Sequence, residues 1–179
     1  SAVVIARHIG ADPVPATAWP AAVSASMAPG DSLTPEQKDA VELAATLADE
    51  LLEADALLFA VPLYNFGVSQ HFKAYVDLVI TDPRMSPAVP PALAGKPAEL
   101  VVVRGGSYAA GTPREGWDHS TGWIRRILED VWQLDLKIVE TEFTLAAVNP
   151  ALAEFREVGE QMRAAAEELA HTHGTVLGA

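Results

Sequence analysis

Cysteine is absent from this 179-residue sequence, and basic residues are scarce. Without cysteine the chain has no disulfide bond, thiolate metal site, iron–sulfur cluster or cysteine nucleophile, and it suits a reducing, cytoplasmic compartment. Only 12 Lys and Arg face 24 Asp and Glu, which gives a formal net charge of −12. Such a charge opposes binding to nucleic acid or to an anionic membrane surface, because the electrostatic term has the wrong sign. We therefore expect neither partner.

Long hydrophobic runs are missing as well. The longest, from about Ala56 to Tyr64, is interrupted by Pro62 and is far shorter than the roughly 20 residues of a membrane-spanning helix. Arg7 and His8 break the first apolar run too early for a signal peptide. What remains is one domain's length of chain, half of it hydrophobic, which suffices for a sizeable core.

Hydrophobic patterning predicts alternating strands and helices. Short β-branched apolar runs predict strands, and apolar residues at helical spacing behind capping signals predict helices. Thr34, Pro35 and Gln37, for example, combine an N-cap, a first-turn proline and a capping box. The predicted strands are 2–6, 56–61, 99–103 and 136–142, the predicted helices are 35–53, 69–80, 121–132 and 150–171, and the proline-rich segments 12–30 and 81–94 are predicted to be irregular.

This alternation predicts a doubly wound parallel sheet with helices on both faces, a three-layer α/β/α fold. The strand at 56–61 is apolar without alternation, which predicts burial on both of its faces. Ligands of such sheets bind beyond the carboxyl ends of the strands. Two loops at that edge, 62–67 and 104–108, are therefore the candidate site.

Both loops combine aromatic side chains with residues that expose or hydrogen-bond the backbone. Tyr64 and Phe66 offer apolar area to a flat heterocycle, and Asn65 offers an amide to its polar edge. Gly105 and Gly106 permit close backbone approach because no Cβ intrudes. The side chain of Arg104, or the N–H groups of its loop, can stabilise negative charge on the ring. Ordinary strand-to-helix loops can carry the same residues, so the pattern alone leaves both interpretations open.

The first loop and the helix behind it resemble a known family. Pro62-Leu63-Tyr64-Asn65-Phe66, followed by Phe72-Lys73-Ala74-Tyr75-Val76-Asp77, is similar to the P-x-Y-N-F … L-K-x-x-x-D segment of FMN-dependent NADH:quinone and azo-compound reductases. Val103-Arg104-Gly105-Gly106 resembles the second flavin loop of that family. The resemblance implies flavin contacts for nine residues, namely Pro62, Leu63, Tyr64, Asn65, Phe66, Arg104, Gly105, Gly106 and Tyr108.

The resemblance also implies a fold and an activity. The fold is flavodoxin-like, and the helix from Ser69 to Ile80 packs against a second copy in a homodimer. The expected enzyme passes electrons from NADH or NADPH through FMN to a quinone, azo compound or similar aromatic acceptor. No protein nucleophile and no metal are needed, because the cofactor carries the redox chemistry.

The N-terminal signature of the family, a strand with a Ser-rich loop for the FMN phosphate, does not precede Ala2. We therefore expect residues 1–179 to form a single flavodoxin-like domain that lacks the first strand and the phosphate loop of the family. This departure keeps two alternatives open, a cofactor-free dimeric binding module and a flavin reductase specialised for a biosynthetic step. The segment 81–94 also departs from the family, so the acceptor is not predicted.

Asp118, His119 and Ser120 stand in a row and suggest a hydrolase triad. Consecutive residues do not face one another as triad members do. We predict instead that Asp118 or Ser120 caps the following helix. His171 and His173 lie near a predicted helix C-terminus, where a cation is favoured, and we do not expect a metal site there.

Overall fold

A computed structural model describes residues 3–28 and 32–177 of the chain. Within them, three parallel strands form one sheet in the order β1 (Leu57–Pro62), β2 (Pro97–Val103) and β3 (Asp135–Thr141). Helices α1 (Ala18–Ser26), α2 (Pro35–Glu53), α3 (Gln70–Val79) and α4 (Thr121–Arg125) are followed by a π-helical segment (Arg126–Val131), and after β3 a 3₁₀ segment (Pro150–Phe155) leads into α5 (Arg156–Leu177). The predicted parallel sheet with helices on both faces is confirmed.

One face of the sheet carries the main hydrophobic core. Alternate residues of the strands point to this face, because side chains alternate along a strand. They pack with the inner sides of α1 to α4, and the core includes Leu47, Phe59, Val76, Leu78, Leu100, Val102 and Ile124. Burial of apolar side chains on this face holds the strands and helices together, and it thereby fixes the positions of the two candidate loops that follow β1 and β2.

Helix α2 begins and ends on defined polar contacts. The Thr34 side chain accepts from the Gln37 amide, and the Gln37 side chain accepts from the Thr34 amide, so the predicted capping box is present. At the other end, Lys96 Nζ donates to the carbonyl oxygens of Leu51 and Ala54 at 2.8 and 2.5 Å. A cation at this end also complements the negative end of the helix dipole.

The opposite face of the sheet is only partly covered. Helix α5 packs on β3, and its His173 Nδ1 lies 2.9 Å from Oε1 of Glu99, a buried residue of β2. Because β1 is the strand farthest from β3, Leu58 is 69% exposed on that face. The prediction that 56–61 is buried on both faces is therefore wrong.

Two predictions for the N-terminal region are also wrong. Val3, Val4 and Ile5 belong to no strand and are highly exposed, while Ala2 lies outside the described residues. Strand propensity stabilises a strand only where a neighbour supplies ladder hydrogen bonds, and the run has none among the described residues. The proline-rich segment 12–30 contains α1, because Pro20 lies in the first turn, where its missing N–H breaks no helical bond.

The last two predicted helices lie where they were predicted, but neither is α-helical throughout. The segment 121–132 is α-helical for only one turn before it widens into the π-helical segment, and 150–171 begins as a 3₁₀ segment. The segment 81–94 contains no helix or strand, as predicted. Among the described residues, no helix is both long enough and apolar enough to cross a membrane.

Candidate functional site

The turn after β1 holds two residues in a left-handed backbone conformation. Tyr64 and Gly67 exchange backbone hydrogen bonds of 3.4 and 3.0 Å, which closes a tight turn around Asn65 and Phe66. Their φ angles are 47° and 69°, respectively. Asn tolerates this region, but Phe adopts it only where the surroundings hold it. The His119 amide donates to the Phe66 carbonyl at 2.9 Å and is one such restraint.

At the two glycines of the turn after β2, neighbouring side chains leave little space for a Cβ. A Cβ on Gly105 would lie 2.6 Å from Cδ1 of Leu145, and one on Gly106 would lie 3.1 Å from Nη1 of Arg114. The carbonyl of Gly105 accepts from the Leu145 amide at 3.3 Å, and that of Gly106 accepts from the Phe143 amide at 3.4 Å. Among the described residues, neither glycine amide donates to an acceptor. Two N–H groups of this turn are thus available to a ligand.

The two turns wall a single cavity of about 380 Å³. This volume lies within the range of about 300–1,000 Å³ that is usual for small-molecule sites. Seven of the nine predicted residues line it, namely Leu63, Tyr64, Asn65, Phe66, Gly105, Gly106 and Tyr108. Pro62 and Arg104 do not. The structure therefore brings the two predicted turns together, as the hypothesis requires.

Sequence reasoning missed the other lining residues, which are Arg114, Leu145, Asn149, Ala151 and Leu152. Four of them come from the segment after β3. That segment leaves the carboxyl end of the neighbouring strand, so the same edge rule that found the first two loops indicates it too. Arg114 carried no comparable signal, because it lies in the middle of an irregular loop.

An aromatic cluster forms one wall of the cavity. The Phe66 ring meets the rings of Trp117 and Tyr108 edge to face, with centroids 5.4 and 6.3 Å apart. Edge-to-face pairs of this kind are favourable because the positive ring edge faces the negative ring surface. The cluster holds Phe66 in place although its backbone conformation is unfavourable, and it leaves Tyr64 61% exposed beside the cavity.

The Arg104 side chain points away from this cavity into a cluster of carboxylates. Nε lies 2.9 Å from Asp118 Oδ2, and one Nη2 contact reaches Glu140 Oε1 at 3.0 Å. Glu142 Oε1 lies farther away, 3.8 Å from Nη1. Burial alone would lower the pKa of Arg104, but the hydrogen bond to Glu140 and the charges of Glu140 and Asp118 outweigh burial, and the pKa is raised. Arg104 is a buried cation that is paired with Asp118 and Glu140.

Asp118 joins this cluster to the start of α4. The N-cap residue of α4 is Ser120, one of the two predicted candidates, but its side chain makes no capping hydrogen bond. Instead, one carboxylate oxygen of Asp118 accepts from the amides of Ser120 and Thr121 at 2.8 and 2.9 Å. Burial would raise its pKa, but the hydrogen bonds from Thr121 and Ser120 and the charge of Arg104 outweigh it, so the pKa is lowered. The cap occupies Asp118 completely, and the row with His119 forms no triad.

A second cavity of about 520 Å³ lies on the other side of the Arg104 cluster, against α5. Its walls are Asp118, Glu140 and Glu142 on one side and apolar residues of α5, including Met162 and Leu169, on the other. Tyr108 lines both cavities. Among the described residues, no group of three or more His, Asp and Glu side chains is arranged to hold a metal ion.

Comparison with known proteins finds one family profile, several sequence relatives and several solved structures that resemble the chain. The profile of the family described as having a flavodoxin-like fold matches residues 2–168. FMN-dependent NADH:quinone oxidoreductases match the sequence itself. The one from Frankia alni is 43% identical over 90% of this chain and 77% of its own length. The one from Streptomyces avermitilis is 36% identical over 92% of this chain and 76% of its own length.

Two solved structures show the same fold. An azoreductase from Bacillus anthracis has a TM-score of 0.67 at 22% identity and covers 90% of this chain and 75% of its own. An FMN-dependent NADH-azoreductase from the same species, in complex with FMN, has a TM-score of 0.61 at 18% identity. The match covers 88% of this chain and 75% of the azoreductase.

Proposed function

Because the chain belongs to the flavodoxin-like family of the FMN-dependent NADH:quinone oxidoreductases, we propose that it carries electrons from NADH or NADPH through FMN to a quinone, azo compound or similar aromatic acceptor. One observation of the structure carries the proposal. The turns Tyr64-Asn65-Phe66 and Gly105-Gly106, which follow neighbouring parallel strands, wall one cavity. A flat ring placed between them meets aromatic side chains on one side and bare backbone on the other.

The residues present fit the isoalloxazine ring of FMN. The unpaired amides of Gly105 and Gly106 suit the carbonyl oxygens along the pyrimidine edge of the ring. A Cβ on either glycine would meet the side chain of Leu145 or Arg114, so a larger residue here would disturb this wall of the cavity. Asn65 is exposed and offers both a donor and an acceptor to the same polar ring edge. We propose flavin contacts for the seven predicted residues that line the cavity, while contacts by Pro62 and Arg104 stay a prediction.

The protein's part in the reaction is to orient and to stabilise. Bound FMN supplies hydride acceptance from NADH and electron delivery to the acceptor. The net reaction consumes NADH, a proton and a quinone and yields NAD⁺ and a hydroquinone. The glycine amides stabilise negative charge at the ring edge, and the Phe66 cluster offers aromatic surface on one side. Tyr64, exposed at the cavity, is placed to stack on an aromatic acceptor.

A titration with FMN and an assay of NADH oxidation with menadione test the proposal. Purified protein should quench flavin fluorescence and then oxidise NADH when menadione is present. In Gly105→Val, the new side chain collides with Leu145, and we expect FMN affinity to fall about tenfold or more, the cost of overpacking. Gly122→Val is the control, because a Cβ on Gly122 of α4 has nothing within 4 Å.

Other outcomes point to the two alternatives. A stable dimer that takes up no FMN would contradict the proposal and favour a cofactor-free binding module. Tight FMN binding with slow turnover of menadione would favour a reductase specialised for a biosynthetic step.

We further propose that the enzyme is a homodimer and works in the cytoplasm, the compartment that regenerates NADH. Helix α3 follows the first turn, and its outer residues such as Gln70 and Lys73 are exposed. A partner on this side would lie beside the cavity and complete its walls. Light scattering should give twice the chain mass of 19.0 kDa, whereas a monomeric mass with full activity would contradict the dimer.

A further inference from the structure

Arg114 differs from every other arginine in the chain. All eight arginines lie within the described residues, and seven of them donate to a carboxylate or carbonyl oxygen, namely Arg7, Arg84, Arg104, Arg125, Arg126, Arg156 and Arg163. Arg114 has no such partner among the described residues. Although the protein has a net charge of −12, no carboxylate of the described residues pairs with Arg114. The position of the Arg114 side chain indicates which ligand its free donors could bind.

The Arg114 guanidinium lies at the aromatic cavity. Its Cζ is 5.9 Å from the centroid of the Phe66 ring, a cation–π contact that uses none of its N–H donors. Its Nη1 lies over Gly106, 3.1 Å from where a Cβ would be. Arg114 is the only Lys or Arg whose side chain lines this cavity among the described residues. The donors of an exposed guanidinium are thus held at the edge of the proposed acceptor site.

The carboxylates of the same region are committed to other partners. Glu115 Oε2 accepts from the Gly111 amide at 2.7 Å, and Glu142 Oε1 accepts from the Tyr108 amide at 2.9 Å. Asp118 is held by Arg104 and by the start of α4. Protein carboxylates therefore do not neutralise Arg114, and its five donors are left to a ligand.

We propose that Arg114 binds an anionic substituent, a carboxylate or a sulfonate, on the aromatic acceptor, and that the enzyme therefore favours acidic aromatic acceptors over neutral ones. The inference rests on the proposed function and names the substrate class of the same site. An arginine pairs with planar or threefold oxyanions through two parallel hydrogen bonds, and its contact with Phe66 places those donors beside a ring stacked in the cavity. The acceptor ring stacks at Tyr64, as proposed above, and Arg114 on the same cavity binds its acid group.

The test compares a charged with a neutral quinone on the FMN-loaded enzyme. In Arg114→Met, the ratio of kcat/KM for anthraquinone sulfonate to that for menadione should fall about tenfold, which corresponds to about 1.4 kcal/mol. Arg114→Lys keeps the charge and should retain part of the preference. Arg126→Met is the matched control, because it removes an exposed charge that does not line the cavity. An equal loss for both quinones would overturn the inference.

A calorimetric titration with naphthalene sulfonate tests the site without turnover. Binding should weaken about tenfold in Arg114→Met and stay unchanged in Arg126→Met. If Arg114→Met weakens the binding of FMN but not of riboflavin, the arginine serves the cofactor phosphate and the inference is overturned. If the wild-type enzyme reduces no quinone, the proposed function fails, and the calorimetric comparison alone then decides for or against an anion site at Arg114.

Discussion

Arg104 and Arg114 stand ten positions apart on one loop, yet their surroundings are opposite. The Arg104 side chain is 8% exposed and faces three carboxylates. Arg114 is exposed, faces an aromatic ring and has no carboxylate partner among the described residues. The first arginine holds the ends of β2, β3 and α4 together, and the second is left with unused donors at the cavity. The pairing of a charge, more than its nearness to a motif, therefore separates a structural arginine from a ligand-binding one.

Arg104→Met should give the largest effect on stability. It leaves Asp118, Glu140 and Glu142 close together without a counter-charge, and breaking a buried ion pair in this way costs about 3 kcal/mol or more. Urea unfolding measures the loss, and Arg114→Met provides the comparison, with an expected change within about 0.5 kcal/mol. Equal losses for the two variants would remove the distinction between the two arginines.

Asp118→Asn should have a smaller effect that depends on pH. The variant loses the charge that faces Arg104 and part of the cap of α4, at a cost of about 1–2 kcal/mol. The folded-state pKa of Asp118 is lowered, so its contribution is present above its ordinary pKa of 3.8 and is lost as the pH falls through the lower folded value. The difference in unfolding free energy between wild type and variant should thus be full near neutral pH and shrink below about pH 4.

Unfolding curves at several pH values check this prediction, with Asp130→Asn as the control. Asp130 pairs with Arg126 at the surface, where its charge contributes little to stability. A constant difference between wild type and Asp118→Asn down to low pH would show that the carboxylate charge is not what stabilises the cluster.

Local signals predicted the parts of the fold that depend on neighbouring residues. The capping box and apolar spacing of α2 gave both ends of that helix, and Ser69, where the next predicted helix begins, caps α3. The run at 2–6 misled because a strand depends on a partner that local sequence does not specify. The helical turn around Pro20 was missed because proline is disruptive within a helix but tolerated in its first turn.

The backbone of the candidate site was more predictable than its side chains. Topology alone brings the carboxyl ends of β1 and β2 together, so the two turns were found from sequence. The sequence did not predict where the Arg104 side chain points, because its partners come from the loop before α4 and from the end of β3. The prediction that the first strand and phosphate loop of the family are missing stays a prediction.

Trp117→Ala tests how firmly the cavity wall is held. Trp117 meets Phe66 edge to face at 5.4 Å, and the loss of such a pair costs about 1 kcal/mol. Trp19→Ala is the control, because Trp19 is 48% exposed, close to the 49% of Trp117, and has no ring contact among the described residues. If both variants lose the same stability, as judged by urea unfolding, then Phe66 is not held by its neighbour.

Gly106→Ala should have the smallest effect on stability, and the protein atoms that its new Cβ meets belong to the Arg114 guanidinium. The new Cβ would lie 3.1 Å from Nη1, and the flexible guanidinium can move by a few tenths of an ångström, so we expect the unfolding free energy to change by less than about 0.5 kcal/mol. The displaced donors should still lower the preference for anthraquinone sulfonate over menadione, by about twofold to threefold in the ratio of kcat/KM. Gly105→Ala is the control, because its Cβ meets Leu145 instead and should affect both quinones alike. A preference that falls equally in the two variants would mean that cavity volume, rather than the position of the Arg114 guanidinium, selects the acceptor.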